Sequence, residues 1–202
     1  MSVRRAEGAI AEMFGIRAQL AISEVPAPIG SLTPGELAQS CTFLSGPARV
    51  DWLRGRAALK AVLAPGYDTS SLVFPNRAIS LTHAGGLAAA VRTDDDCEGI
   101  GIDFEPWATE FEPRSVRLFL GPSEQAGDLP PDGLLQLWTI KEALYKATPA
   151  NQGCLLLDFE LHDTAALCGD ATGPRGEALR YAALRLERGS LAVAVCDKRG
   201  AD

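Results

Sequence analysis

Between residues 48 and 63 the apolar positions Val50, Leu53, Ala57, Leu59 and Val62 recur at roughly helical spacing, and Pro65-Gly66 stops the run. That pattern predicts a helix with one side against a core. Upstream, weak alternation over residues 17–25 predicts a strand, which Pro26-Ala27-Pro28-Ile29-Gly30 turns. Thr33-Pro34-Gly35-Glu36 reads as a capping box with proline at the first helical position, so a helix starts there and stops near Ser45-Gly46-Pro47.

Two strands are expected at residues 78–82 and 87–92, with His83-Ala84-Gly85-Gly86 in the turn between them. Asp94-Asp95-Asp96 leads to a third at residues 100–104, and the three read as a meander. Further on, the pattern predicts a short helix around residues 115–120, a fresh start at Gly121-Pro122-Ser123-Glu124 and a long helix over residues 133–147. Strands at 154–161, 179–186 and 191–196 follow, the last two joined by a hairpin at Gly189-Ser190. Helices and strands mix without strict alternation, which favours an α+β fold over a doubly wound sheet.

With 202 residues the chain can build one good core, or two small halves sharing one. A hydrophobic content of 47% against 22% charged residues is that of an ordinary globular protein. The net charge of -7 argues against nucleic acid as a partner, because phosphate neutralisation needs surplus Lys and Arg. Any anionic ligand must therefore meet a local basic cluster. Cys41, Cys97, Cys154, Cys168 and Cys196 are scattered, odd in number and never paired as C-x-x-C, so reduced thiols in a cytoplasmic protein are expected. The N-terminal segment is too interrupted for a signal peptide, and no apolar run approaches the ~18 residues of a membrane span, so no membrane association is expected.

The chemistry concentrates in two motifs, Gly101-Ile102-Asp103-Phe104-Glu105 and Trp138-Thr139-Ile140-Lys141-Glu142-Ala143-Leu144-Tyr145-Lys146. Residues two apart on a strand share a face, so Asp103 and Glu105 point the same way where a buried strand emerges from the core. Glu142 lies one helical turn after Trp138 and one before Lys146. Three carboxylates beside two lysines suit a hard cation and the polyphosphate it neutralises, and few protein oxygens completed by phosphate and water is what Mg²⁺ prefers. His83, between Ser80-Leu81-Thr82 and Gly85-Gly86, is placed to donate to a phosphate oxygen, whereas His162 reads as surface. Arg49, Arg56 and Lys60 form either a solvated helix face or a basic stripe. Asp94-Asp95-Asp96 is most simply a solvated loop. Phosphate loops of the P-loop or dinucleotide type, His-Glu-x-x-His and Ser-His-Asp signatures are absent.

Taken in order, four segments resemble the 4'-phosphopantetheinyl transferases, specifically the larger pseudo-dimeric class (surfactin-synthetase-activating and enterobactin-type). They are the arginine helix from Arg49 to Lys60, Ser80-Leu81-Thr82-His83-Ala84-Gly85-Gly86, and the two motifs above; the resemblance runs over residues 49–161. It implies two similar α+β halves related by a pseudo-twofold axis, residues 1–98 and 99–202, with coenzyme A in the cleft between them. It further implies that Asp103, Glu105 and Glu142 ligate Mg²⁺, that Glu142 and Lys146 with Asp103 carry the catalysis, and that Arg49, Arg56, Arg77, His83, Lys141 and Lys146 hold coenzyme A. The implied reaction transfers phosphopantetheine to a serine of an acyl or peptidyl carrier protein in secondary metabolism, by a cytoplasmic monomer. The acidic carrier helix would meet Arg114 and Arg117.

Two departures stand out. Where the class has a Gly-Lys-x-Pro-like basic loop, this chain has Ser70-Ser71-Leu72-Val73-Phe74-Pro75-Asn76-Arg77, with Arg77 as the candidate substitute for the lysine. Thr139 and Ala84 stand where serine is common. A non-catalytic carrier-binding module of the same fold and a metal-dependent phosphohydrolase are the alternatives.

Overall fold

A computed structural model describes residues 3–42, 46–121, 124, 129 and 132–198. Its elements run α1 (Val3–Phe14), β1 (Ala18–Ser23), α2 (Pro34–Ser40), α3 (Pro47–Val62), β2 (Ile79–Ala84), β3 (Leu87–Thr93), β4 (Gly99–Pro106), α4 (Pro113–Val116), α5 (Gly133–Ala147), β5 (Glu160–Leu161), β6 (Cys168–Thr172), β7 (Ala178–Arg185) and β8 (Gly189–Cys196). Short 3₁₀ turns lie at Ile29–Ser31, Thr69–Ser71 and Leu156–Asp158. The fold is α+β.

Both sheets are antiparallel. The first has the order β1-β3-β2 and the second β4-β8-β7-β6-β5. The expected meander is therefore corrected: β4 does not pair with β3 but opens the second sheet beside β8, in register from Gly99 opposite Cys196 to Pro106 opposite Gly189. Each sheet uses the same connection, a strand, a long helix and a hairpin whose last strand returns to pair with the first. The halves are unequal, with three strands against five.

Period-two alternation explains the layers. Leu20, Ala89 and Val91 of the first sheet and Ile100, Ile102, Phe104, Val193 and Val195 of the second share one core with Ile10 and Phe14 of α1. The opposite faces are covered by the long helices. Ala58, Leu59 and Val62 of α3 pack on Ile79, Ala88 and Ala90, while Leu137, Ile140 and Leu144 of α5 pack on Leu179, Ala192 and Ala194. Burying a single such leucine contributes about 1.5–3 kcal/mol, so each helix is anchored chiefly by its apolar stripe. No helix among the described residues is long and apolar enough to cross a membrane.

Several boundaries differ from the sequence expectation. The capping box at Thr33 forms as read, with Glu36 N donating to Thr33 Oγ1 at 3.2 Å and Thr33 N donating to Glu36 at 2.9 Å, but the helix ends at Ser40. His83 and Ala84 belong to β2, because His83 registers with Ala88 and only Gly85-Gly86, both at positive φ, make the turn. Residues 154–161 form a 3₁₀ turn and a two-residue strand instead of one strand. α1 and β6 had no expectation at all. Of the start signal at 121–124, only Gly121 and Glu124 lie within the described residues.

Candidate active site

Two glycines bring the chemistry together. A Cβ on Gly101 would sit 1.9 Å from the carbonyl oxygen of Ala143, and one on Gly99 2.0 Å from that of Ala147. Only glycine lets α5 lie this close on β4. Trp138, Glu142 and Lys146, spaced by four on one side of α5, consequently stand over the Asp103 and Glu105 end of the strand. Strand β2 supplies the facing wall with Ser80, Thr82 and His83. These β2 residues, with Asp103, Glu105, Glu142 and Lys146 but not Trp138, line a cleft of about 680 Å³, whose remaining walls include Phe74, Pro75, Tyr145 and Asn151. A second recess of about 440 Å³, lined by Trp52 and Arg56, shares Leu81 and His83 with the first.

Asp103 is only 4% exposed. Its Oδ1 accepts hydrogen bonds from Thr82 Oγ1 at 2.9 Å and from Lys146 Nζ at 2.7 Å, while Oδ2 is buried with no partner. Glu105 is held differently: Oε1 accepts from the Trp138 indole at 3.1 Å and Oε2 from Thr109 at 3.2 Å. Burial, and then the charge of Asp103, push the Glu105 carboxyl above its ordinary value against the pull of those two bonds and of Lys146. Glu142 is pushed up foremost by burial; Lys146 opposes this, and Asp103 and Glu105 add to it. Three carboxylates crowd around one ammonium, and that imbalance is what a bound cation relieves.

The side-chain donors are all oxygen, the ligand type that suits Mg²⁺, and Asp103 Oδ2 is buried with no hydrogen-bond partner. Among the described residues no group of three or more His, Cys, Asp or Glu side chains is arranged to hold a metal ion. Mg²⁺ commonly takes one or two protein carboxylates and completes its sphere with substrate phosphate and water, so a loose set fits it better than a cage.

Other sequence-predicted residues lie elsewhere. Lys141 is fully buried on the side of α5 away from the cleft, donating to Phe119 O at 2.6 Å and pairing with Glu124 at 2.5 Å. The expected phosphate contact is thus absent from its surroundings. The helical pattern carries the signal, since Lys141 sits on the Leu137 and Leu144 stripe. Arg77 is occupied by Asp96 and by Cys97 O, and Lys198 joins the same aspartate. Asp96, itself exposed, therefore links the segment before β2 to the residue stretch after β8. Arg92 pairs with Asp94 in the same stretch.

The basic stripe also divides. Lys60 pairs at 2.8 Å with Glu36, which is wholly buried, and Arg56 donates to Thr69 O and Oγ1 at 3.1 and 2.9 Å. The Arg56 guanidinium lies 4.7 Å from the Trp52 ring centroid and borders the second recess, and its Nε is buried without a partner, as is that of Arg49. Burial lowers the Arg56 pKa against the pull of Glu36. Arg114 is exposed and pairs with Glu112 at 2.6 Å, while Arg117 is exposed. His162 is exposed, with Nε2 3.0 Å from Thr172 Oγ1. Sequence reasoning missed the Thr82 hydroxyl and the Trp138 indole as partners of the carboxylates.

A search of curated proteins finds no match to the chain. The model of the 4'-phosphopantetheinyl transferase superfamily matches residues 99–196, which run from β4 to β8 and contain Asp103, Glu105, Glu142 and Lys146. The stretch that carries the carboxylates of the cleft is similar to that superfamily, and the match supports a function of the phosphopantetheinyl transferase type.

Proposed function

We propose that this protein is a Mg²⁺-dependent 4'-phosphopantetheinyl transferase of the pseudo-dimeric class, acting on coenzyme A and the serine of an apo acyl or peptidyl carrier protein. The observation that carries the reading is the cleft in which Asp103, Glu105, Glu142 and Lys146 meet Thr82 and His83 across the seam between the sheets. The matching connection of the two halves supports a pseudo-twofold relation, with coenzyme A bound between them.

Asp103, Glu105 and Glu142 would hold Mg²⁺, which when bound neutralises the pyrophosphate of coenzyme A. The raised Glu142 carboxyl is suited to take the proton of the carrier serine, directly or through water, as that oxygen attacks the β-phosphorus. The bond from phosphorus to the bridging oxygen breaks and adenosine 3',5'-bisphosphate leaves. Lys146, whose ammonium also touches Asp103, stabilises the charge growing on the leaving phosphate or protonates it. His83 and Arg56 border the second recess and serve the nucleotide end, where Arg49 on the same helix is a further candidate.

Incubation of apo carrier proteins with coenzyme A, Mg²⁺ and this protein should add one phosphopantetheine mass, read by intact-protein mass spectrometry. Glu142→Gln should lower the rate by at least ~10²-fold, the lower range for a lost acid-base group. Transfer at wild-type rate by that variant would sink the assigned role. The occupied Arg77 favours one other reading, a carrier-binding module without turnover. Calorimetry separates the two, because only the transferase predicts coenzyme A binding that depends on Mg²⁺.

A further inference from the structure

Strands β2 and β4 lie in different sheets, yet two hydroxyls on one side of β2 tie them together. Ser80 Oγ accepts from Ile102 N at 3.1 Å, which fixes the backbone of β4 one residue before the carboxylate. Thr82, two residues on and therefore on the same face, spends its single hydroxyl proton on Asp103 Oδ1. Lys146, arriving from α5, donates to that same oxygen. Two donors from different elements converge on one oxygen, and neither serves the other.

That asymmetry needs a reason. A carboxylate buried with one oxygen doubly bonded and the other bare forfeits a hydrogen bond that a rotation about χ2 would share out. The threonine sets that rotation from outside the matched region 99–196, so the N-terminal half takes part in shaping a carboxylate of the C-terminal half.

We propose that Thr82 is a positioning residue, turning Asp103 so that Oδ2 is kept for a divalent cation. This rests on the metal reading of the cleft given above. Titration of the whole protein with Mn²⁺ alone, followed by electron paramagnetic resonance without coenzyme A or carrier, tests it directly. Thr82→Val should weaken Mn²⁺ binding by roughly 10-fold or more, as loss of a group that orients a ligand usually does. Thr82→Ser, which keeps the hydroxyl, should stay within about threefold of wild type on the same scale. Ser80→Ala, which frees the Ile102 backbone but keeps the Thr82 hydroxyl on Asp103, should lower the unfolding temperature and weaken Mn²⁺ binding less than Thr82→Val does, and an equal or greater loss would overturn the special role of Thr82. Should the valine variant not fold, Thr82→Ala takes its place. Equal Mn²⁺ affinity in wild type and Thr82→Val, or equal loss in the valine and serine variants, overturns the role of the hydroxyl while leaving the metal site standing. No Mn²⁺ binding by wild type overturns both.

Discussion

Replacing Gly101 by alanine tests whether the contact between α5 and β4 sets the chemistry. The added Cβ would lie 1.9 Å from Ala143 O and 2.6 Å from Ala147 N, and both obstacles are backbone. A carbon approaches a carbonyl oxygen no closer than about 3.3 Å, so α5 would have to withdraw by roughly 1.4 Å. Overpacking of this kind costs about 1–3 kcal/mol, which for a chain of this length lowers Tm by roughly 2–12 °C. The larger effect falls on geometry. Glu142 and Lys146 ride on the displaced helix, and a misplacement near 1 Å can cost on the order of 10²-fold in rate. Carrier modification measured under saturating coenzyme A, alongside thermal unfolding, reads both quantities. A variant with wild-type Tm and wild-type rate would refute the claim that this close approach builds the site. A fall in Tm alone, with the rate retained, would refute its catalytic half.

Lys141→Met should destabilise the protein by about 3–5 kcal/mol, since it leaves the Glu124 carboxylate buried and unpaired; Lys141→Met with Glu124→Leu should regain most of that loss, as read by urea denaturation. Equal stability of the single variant and wild type would show the pair to be idle. Burial pushes the Glu36 carboxyl up, but bonds from Lys60, Thr69 and Thr33 bring it below its ordinary 4.5. The stabilisation it gives is fully present above 4.5 and is lost as pH falls through the lower folded value, so the Tm gap between wild type and Glu36→Gln should narrow on acidification. A gap that stays constant from neutral pH down into that range would count against the network.

The long helix was legible to the residue because the apolar stripe of 137, 140 and 144 runs unbroken from Gly133 to Ala147. The carboxylates were legible for a similar reason, since alternation in β4 put Asp103 and Glu105 on one face. Partner choice between strands was not. Nothing local to residues 99–106 says that they pair with 189–196, ninety positions away, and so β4 was read into the wrong sheet. β6 holds Gly169 and Asp170, poor strand formers, and owes its conformation to pairing with β7. Lys141 shows the opposite failure: its neighbour Glu142 drew it into the site, although helical periodicity turns adjacent residues about 100° apart. Arg77 is a candidate by its charge alone, and its pairing with Asp96, nineteen positions on, depends on the packing of distant segments.

Beside the cleft the two sheets are joined by hydroxyls, Ser80 and Thr82 on one strand reaching the Ile102 backbone N–H and the Asp103 carboxylate on the other. A hydrogen-bonded ladder can change register only in whole residues, and each one-residue slip turns every side chain over. A join of hydroxyls has no such step. Single substitutions there can shift the spacing between the wall that bears His83 and the wall that bears the carboxylates by fractions of an ångström, leaving both sheets intact. Divergence toward ligands of different bulk has, at this seam, a continuous path open to it.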